Sequence, residues 1–207
     1  MKFVLATHNP KKLVELQKIL SDFGVEVVTE ADVGVDVEVE ETGETFAENS
    51  LLKAKAVMEA TGLPAIADDS GLCVDALGGG PGVYSARYGG EGLTDRDRYM
   101  LLLQNMRGQT TRAAHFSCCI TAAFPNGDVL QAEGQCAGTI AFVPMGDDGF
   151  GYNPVFFVPE KKRTFAQMTA EERSEFSHRG NALRAFRGKL AEYLKGKENQ
   201  REPSRCS

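Results

Sequence analysis

Two adjacent carboxylates, Asp68 and Asp69, lie between short apolar segments and are followed by Ser70 and Gly71. Neighbouring carboxylates in a partly buried segment repel each other unless a cation or a proton intervenes. The pair could therefore hold a divalent metal ion or supply a general base. It could equally form an Asx turn, in which the carboxylates accept backbone N–H groups. Because adjacent side chains on a strand point to opposite faces, we expect one carboxylate to face a site.

A second candidate site is the segment Thr7-His8-Asn9-Pro10-Lys11-Lys12, where an apolar strand leads into a predicted helix. Asn9 suits the helix N-cap, and Pro10 suits the first helical position. Backbone N–H groups and the positive end of the helix dipole favour an anion there, and both lysines can reach phosphate oxygens. The alternative is an ordinary capped helix with two solvated lysines. The chain contains no Walker loop.

Acidic side chains concentrate between Glu30 and Glu48, where eight carboxylates occur without a Lys or Arg. Most residues of such a stretch form an exposed acidic loop, but Glu40, Glu41 or Glu44 could add an oxygen ligand beside the aspartate pair.

The helix that follows the acidic stretch carries two lysines, Lys53 and Lys55. They cannot share one helix face, so one is predicted to contact phosphate and the other to be a surface charge.

Two later segments could recognise a nucleotide base. Phe150-Gly151-Tyr152-Asn153 offers an aromatic face beside a close backbone approach and an amide that can pair with a base edge. Ser177-His178-Arg179-Gly180 adds a guanidinium with a fixed fork of donors. Taken singly, the first is equally typical of a strand bulge, and a lone His at a helix start is more often a cap or core contact.

Composition limits the protein classes. The 207 residues carry 23 Lys+Arg against 29 Asp+Glu, a net charge of −6, which excludes a broad nucleic-acid footprint. The five cysteines are odd in number and form no C-x-x-C, so a reducing cytoplasm is predicted. No apolar run approaches the ~20 residues of a membrane span, and the N-terminus does not resemble a signal peptide. We expect a cytoplasmic protein without nucleic-acid or membrane partners.

The order of predicted elements indicates an α/β fold with a mixed, twisted sheet flanked by helices, and a β-hairpin lobe. A capping box at Thr45 starts one helix, Thr94 starts another, and the last is predicted over about 180–195. Two short strands flank the aspartate pair, and Pro125-Asn126-Gly127-Asp128 turns a long hairpin. Residues 1–195 are predicted to form one domain, and residues 196–207 a polar, disordered tail. The glycine-rich segment 78–92 is predicted to be a mobile loop.

Five short elements occur in one order: Thr-x-Asn-x-x-Lys, Glu-Glu-Thr-Gly, Asp-Asp-Ser-Gly, Phe-Gly-Tyr and Ser-His-Arg-Gly. With them, and with Leu77-Gly78-Gly79 and Pro81–Tyr88, the sequence resembles the inosine triphosphate pyrophosphatase family over residues 2–195. The resemblance implies a homodimeric, Mg²⁺-dependent hydrolase with an ITPase-like fold. Such an enzyme removes the deaminated purine nucleotides ITP, dITP and XTP by cleaving between the α- and β-phosphates, releasing a nucleoside monophosphate and pyrophosphate.

The resemblance also implies roles for individual residues. Asp69 is the implied general base and metal ligand, Glu40 the second metal ligand, and Ser70 a substrate contact. Thr7 to Lys12 and Lys53 are implied to bind the phosphates. The purine is implied to lie among Phe150, Gly151, Tyr152, Asn153, His178 and Arg179, with its 6-oxo group accepting donors that an adenine amino group could not satisfy.

The sequence departs from the family pattern at two positions. Arg173 replaces the usual Lys, which keeps the charge but changes the reach of a substrate contact. Asn153 replaces the usual Asp, which keeps an acceptor oxygen but loses the charge. Two other functions fit parts of the pattern: a pyrophosphatase for modified pyrimidine nucleotides, and a nucleotide sensor without catalysis. The Ser-His-Arg-Gly and Phe-Gly-Tyr elements argue against the first. Asp69 and Glu40, present alongside the lysines, argue against the second, because a protein that only binds would not need them.

Overall fold

The structure is a computed structural model that describes residues 1–7, 14, 16–17, 20 and 23–201, with side chains described as far as residue 197. The predictions made for His8, Asn9, Pro10, Lys11 and Lys12 lie outside the described residues. So does most of the helix predicted to follow them, although Leu16 and Leu20 of that segment are buried in the core.

Within the described residues, seven strands form one mixed sheet in the order β2-β1-β3-β4-β5-β6-β7. β1 pairs in parallel with β2 and β3, and the remaining neighbours are antiparallel. Their bounds are β1 Lys2–Leu5, β2 Glu26–Thr29, β3 Ala65–Val74, β4 Ala113–Ala123, β5 Val129–Ile140, β6 Phe156–Val158 and β7 Arg163–Thr164. The predicted mixed α/β sheet and its long hairpin, β4–β5, are confirmed.

The structure describes four helices: α1 Phe46–Thr61, α2 Asp95–Asn105, α3 Ala170–Ser174 and α4 His178–Arg201. The capping box predicted at Thr45 and the helix start predicted at Thr94 are confirmed, and Thr94 also forms a capping box, with Asp97. Gly62 ends α1 at φ 67°, a left-handed conformation that suits glycine.

Both faces of the sheet are buried. On one face Ala54 and Val57 of α1 pack against the β1 and β3 residues Val4, Ala65 and Ala67. On the other face Phe186 and Leu190 of α4 belong to a core with Phe3, Ile66 and Ile120. A third cluster, built around Leu72, Phe116, Phe156 and Phe165, fills the end where β6 and β7 extend the sheet.

Two predictions about local structure were wrong. Asp68 and Asp69 do not lie at a strand end but inside one continuous strand, because β4 pairs with β3 over its whole length from Ala65 to Val74. The last helix starts at His178 and continues to Arg201, beyond its predicted limits of about 180–195.

The glycine-rich segment 78–92 also contains ordered structure. A 3₁₀ helix spans Gly82–Arg87, and the Ser85 hydroxyl accepts the Leu72 N–H at 2.8 Å while donating to the Gly82 carbonyl at 2.7 Å. These bonds fasten the middle of the segment to β3.

Helix α4 lies unusually close to β5 at Gly134. A Cβ atom built on Gly134 would lie 2.2 Å from the Ala182 backbone nitrogen and 2.3 Å from the His178 carbonyl oxygen. No side chain can be accommodated at such distances without moving the helix, so Gly134 sets how closely the first turn of α4 packs on the sheet.

Gly134→Ala is therefore expected to destabilise the fold by about 1–3 kcal/mol, the usual cost of overpacking. Gly188→Ala is the control, because Gly188 lies in α4, the helix that packs on Gly134, with no atom within 4 Å of its added Cβ. That change should instead stabilise the protein by roughly 0.5–1 kcal/mol through helix propensity. Urea unfolding of both variants measures the two effects, and equal stabilities would contradict the packing argument.

Candidate active site

Strand β3 carries the two aspartates to opposite faces of the sheet, as expected for neighbouring residues on a strand. Asp69 faces α1, where Lys53 Nζ donates to its Oδ1 at 3.0 Å. Asp68 is bonded instead to α4, through Arg179 Nη2 at 3.1 Å from its Oδ2. Both residues are buried, with 4% of Asp68 and 8% of Asp69 exposed. Each carboxylate is thus matched with a cation from a helix.

Lys53 also contacts a second carboxylate. Its Nζ donates to Glu41 Oε1 at 2.8 Å, and Arg87 Nη1 donates to the other oxygen of Glu41 at 3.0 Å. The chain Arg87–Glu41–Lys53–Asp69 therefore alternates in charge. Lys55, on the same helix, is exposed, as predicted for one lysine of the pair.

Burial and charge oppose each other in this chain. Burial raises the pKa of Asp69, and the nearby Lys53 ammonium offsets only part of that rise. Burial alone would lower the pKa of Lys53, but Asp69 and Glu41 outweigh it and the pKa is raised. Burial would raise the pKa of Glu41, and Lys53 and Arg87 reverse that effect and lower it. The lysine is therefore held in its charged form, while Asp69 is held closer to neutrality than an ordinary aspartate.

An open cleft of about 750 Å³ lies beside these charges. Its lining includes Thr7, Glu40, Glu41, Lys53 and Asp68. The structure therefore brings together five residues from four separate parts of the chain.

The donor chemistry of the cleft suits a hard cation. Carboxylate oxygens are the ligands that Mg²⁺ prefers, and Mg²⁺ is usually bound by one or two protein carboxylates together with substrate phosphates and water. Asp69 is not itself among the lining residues but reaches the cleft through Lys53, and its Oδ2 is buried without a hydrogen-bond partner among the described residues. Glu40 is exposed in the cleft wall, whereas Glu41 is engaged with Lys53 and Arg87. Among the described side chains, no three His, Cys, Asp or Glu residues form a ready-made metal cluster.

A second, smaller cavity of about 210 Å³, which we call the aromatic pocket, lies across β3 from Lys53. Both segments predicted to recognise a base line it, with Ser70 at its edge. The lining residues singled out from the sequence are Ser70, Phe150, Gly151, Tyr152, Asn153, His178 and Arg179.

Each wall of the aromatic pocket is held by identifiable contacts. The His178 ring stacks on Phe116, with centroids 4.7 Å apart and planes 15° apart. The Tyr152 hydroxyl is buried and donates to the Ser85 carbonyl at 2.8 Å, while the Gly151 N–H donates to Asp95 Oδ2 at 2.7 Å. Phe150, in contrast, is 52% exposed and leaves an aromatic ring at the mouth.

The two cavities are joined through Arg179. This residue lines the aromatic pocket, and its Nη2 contacts both Asp68, which lines the cleft, and Ser70 Oγ at 3.4 Å. The cleft and the aromatic pocket therefore adjoin at the Asp68–Arg179 pair.

Arg173 lies elsewhere. Its Nη1 donates to Asp148 Oδ2 at 2.9 Å and to the Phe165 carbonyl at 2.8 Å, and the residue lines neither cavity. In this structure Arg173 fastens the segment before Phe150 to the β7–α3 connection.

Sequence reasoning did not single out Arg87, which bonds to Glu41 of the cleft, or Asp95 and Arg98, which line the aromatic pocket. Arg87 lies in the segment Pro81–Tyr88, for which no site role was predicted, and Asp95 lies outside the short motifs. Asp95 and Arg98 have the i, i+3 spacing of an ordinary surface ion pair on a helix. A signal that distinguishes them is the burial of the Arg98 side chain, which only the fold provides.

Fold and site together define a single-domain α/β protein in which a carboxylate–lysine cleft adjoins an aromatic pocket. The chain belongs to the Ham1 family, whose model matches residues 3–189. It is 52% identical over 189 residues to a dITP/XTP pyrophosphatase of Thermus thermophilus, covering 90% of each chain.

Two solved structures are similar in fold. A HAM1 protein from Coxiella burnetii has a TM-score of 0.89 and 40% identity over 93% of this chain and 99% of that one.

The other structure is the nucleoside-triphosphatase / dITP/XTP pyrophosphatase from Mycobacterium abscessus. It has a TM-score of 0.78 and 43% identity over 89% of this chain and 97% of that one. No helix among the described residues is long and apolar enough to cross a bilayer.

Replacing Lys53 tests the electrostatics of the cleft. In Lys53→Met the charge that opposes burial is lost, so the pKa of Asp69 should rise further above its ordinary value. The measurement is a carboxyl ¹³C NMR titration of both proteins. Lys55→Met is the control, since Lys55 is exposed on the same helix and should leave the titration of Asp69 unchanged. An unchanged or lowered pKa of Asp69 in Lys53→Met would contradict the assignment.

Proposed function

We propose that the chain is a nucleoside triphosphate pyrophosphohydrolase for the deaminated purine nucleotides ITP, dITP and XTP. It would release a nucleoside monophosphate and pyrophosphate. The observation that carries this proposal is the direct junction, through Asp68 and Arg179, of an acidic, lysine-bearing cleft with an aromatic pocket. The relatives named dITP/XTP pyrophosphatase in the preceding section support it.

Asp69 is the proposed general base. One of its oxygens is held by Lys53 and the other has no partner among the described residues, so the second can accept a proton from an attacking water. Burial raises its pKa, which brings the carboxylate nearer to the range in which a base works at neutral pH. Lys53 stays charged and orients the carboxylate.

Phosphoanhydride hydrolysis requires charge neutralisation on the phosphate oxygens and an oriented water, with little covalent chemistry. When bound, Mg²⁺ supplies part of that neutralisation. We propose that Asp69 and Glu40 hold it, with Glu41 as the neighbouring carboxylate. Thr7 and Lys53 line the same cleft and are proposed to bind the phosphate chain. His8, Asn9, Pro10, Lys11 and Lys12, which are outside the described residues, remain predicted phosphate contacts.

The aromatic pocket is proposed to hold the base. Phe150 presents a ring for stacking, and Arg179 and His178 present N–H groups to a carbonyl oxygen. An adenine amino group in the same place would point its N–H donors at the N–H donors of the pocket, and no hydrogen bond could form. The pocket should therefore favour 6-oxo purines.

We also propose a cytoplasmic homodimer. Phe142 and Val143 are strongly exposed beside a groove of about 510 Å³ that Met100 and Leu101 line, and an exposed apolar patch of this kind is typical of an interface. Light scattering on the purified chain would give the mass of a dimer if this is right and of a monomer if it is wrong.

Pyrophosphate release from ITP, XTP, dITP, GTP, ATP and dUTP, each with and without Mg²⁺, tests the function. We expect turnover of the first three at rates well above that of ATP, abolished by chelation and restored by added Mg²⁺. Circular dichroism with the chelator present should be unchanged, which separates loss of metal from unfolding. Preferred turnover of dUTP would instead favour a pyrimidine pyrophosphatase, and no release from any nucleotide would favour a sensor.

Asp69→Asn should lower kcat by about 10²- to 10⁴-fold, as expected for the loss of a general base, while the fold persists. Glu59→Gln is the control, because Glu59 is an exposed carboxylate at the far end of α1 and should retain full activity. Initial rates with ITP and a melting curve for both variants give the comparison. Near-wild-type turnover in Asp69→Asn would remove Asp69 from the role of base.

A further inference from the structure

The aromatic pocket contains an arginine that the proposed function does not use. Arg98 projects from the first turns of α2, and together with Asp95 it forms the wall of the pocket beside Gly151 and Tyr152. Only 16% of its side chain is exposed. A guanidinium in this position has been largely removed from water, so its N–H groups need other acceptors.

The structure does not supply those acceptors. Among the described residues, the Arg98 guanidinium makes no hydrogen bond, and its Nε is fully buried without a partner. The nearest carboxylate oxygen is Asp95 Oδ1, 3.7 Å from Nη1, which is an ion-pair distance but beyond a hydrogen bond. The other oxygen of Asp95 is occupied by the Gly151 N–H. Asp95 thus compensates the charge of Arg98 but leaves its donors unused.

Arg179, the other guanidinium of the pocket, differs in this respect. It is bonded to Asp68 and Ser70, so part of its donor capacity is committed to the fold. Leaving a mostly buried charged donor without an acceptor costs more than leaving an exposed one, and a ligand that supplies the acceptor recovers that cost. Arg98 therefore has more to gain from a bound ligand than Arg179 has.

We propose that Arg98 is a specificity-determining residue of the aromatic pocket, whose guanidinium donates to a carbonyl oxygen on the edge of the bound base. This rests on the proposed function. Because a guanidinium has donors and no acceptor, it favours an oxo group and disfavours an amino group at the position it faces. The oxygen is either the 6-oxo group, which hypoxanthine and xanthine share, or the 2-oxo group, which only xanthine has.

Steady-state kinetics of Arg98→Gln with ITP and XTP test the proposal. The contact is made to the base, away from the reacting phosphates, so KM should rise by about 10- to 100-fold while kcat changes little. A rise for both substrates assigns the 6-oxo group, and a rise for XTP alone assigns the 2-oxo group. An unchanged KM for both substrates would overturn the proposal, as would a loss confined to kcat.

Two further variants separate recognition from structure. Arg98→Lys keeps the charge beside Asp95 and one set of donors, so it should fold normally. Its KM should lie between those of the wild type and Arg98→Gln. If Arg98→Gln fails to fold, the KM of Arg98→Lys tests the proposal instead. Arg96→Gln is the control, because Arg96 is an exposed arginine of the same helix that lines neither cavity, and its KM should stay within twofold of wild type. If the unmodified protein releases no pyrophosphate, the proposed function fails; if it does and Arg98 is without effect, only this inference fails.

Discussion

Two neighbouring carboxylates inside a sheet that is covered on both faces are the constraint on which this structure depends. Burying one carboxylate is costly and burying two adjacent ones more so, unless each has its own counter-charge. The strand geometry sends them to opposite faces, so the counter-charges have to come from two different helices. Lys53 of α1 and Arg179 of α4 meet that requirement. Each counter-charge thus comes from the helix that packs on its own face of the sheet.

Buried ion pairs such as Lys53–Asp69 and Arg179–Asp68 affect the positions of the side chains more than the net stability of the fold. Removing one partner of a buried ion pair typically costs about 3–5 kcal/mol, although replacing the whole pair by apolar residues is often neutral. The buried ion pairs of the β3 aspartates are therefore weak evidence for a net gain in stability. The aspartates hold two cations in fixed positions, and those cations lie where the acidic cleft and the aromatic pocket come together.

Local sequence was sufficient for elements whose limits are set by local chemistry. The capping boxes at Thr45 and Thr94 and the turn at residues 125–128 fix their own boundaries, and the structure agrees with them. It was insufficient for β3, because Asp-Asp-Ser-Gly is a poor strand former that is extended only through its pairing with β4. The two base-binding segments could be named from composition, but their meeting in one pocket depends on contacts between distant elements. The sequence did not predict a site role for Arg98, because the burial of its side chain depends on the fold.

The close approach at Gly134 has a consequence for how function is inferred from sequence. Gly134 belongs to none of the five short motifs, yet it allows α4 to lie near enough for Arg179 to span to Asp68. The contact of Arg179 with Asp68 thus depends on the absence of a side chain at Gly134. A homologous chain could keep every motif intact and, with a larger residue at this one position, hold its arginine out of range. Motif conservation alone would then assign an activity that the backbone spacing no longer permits.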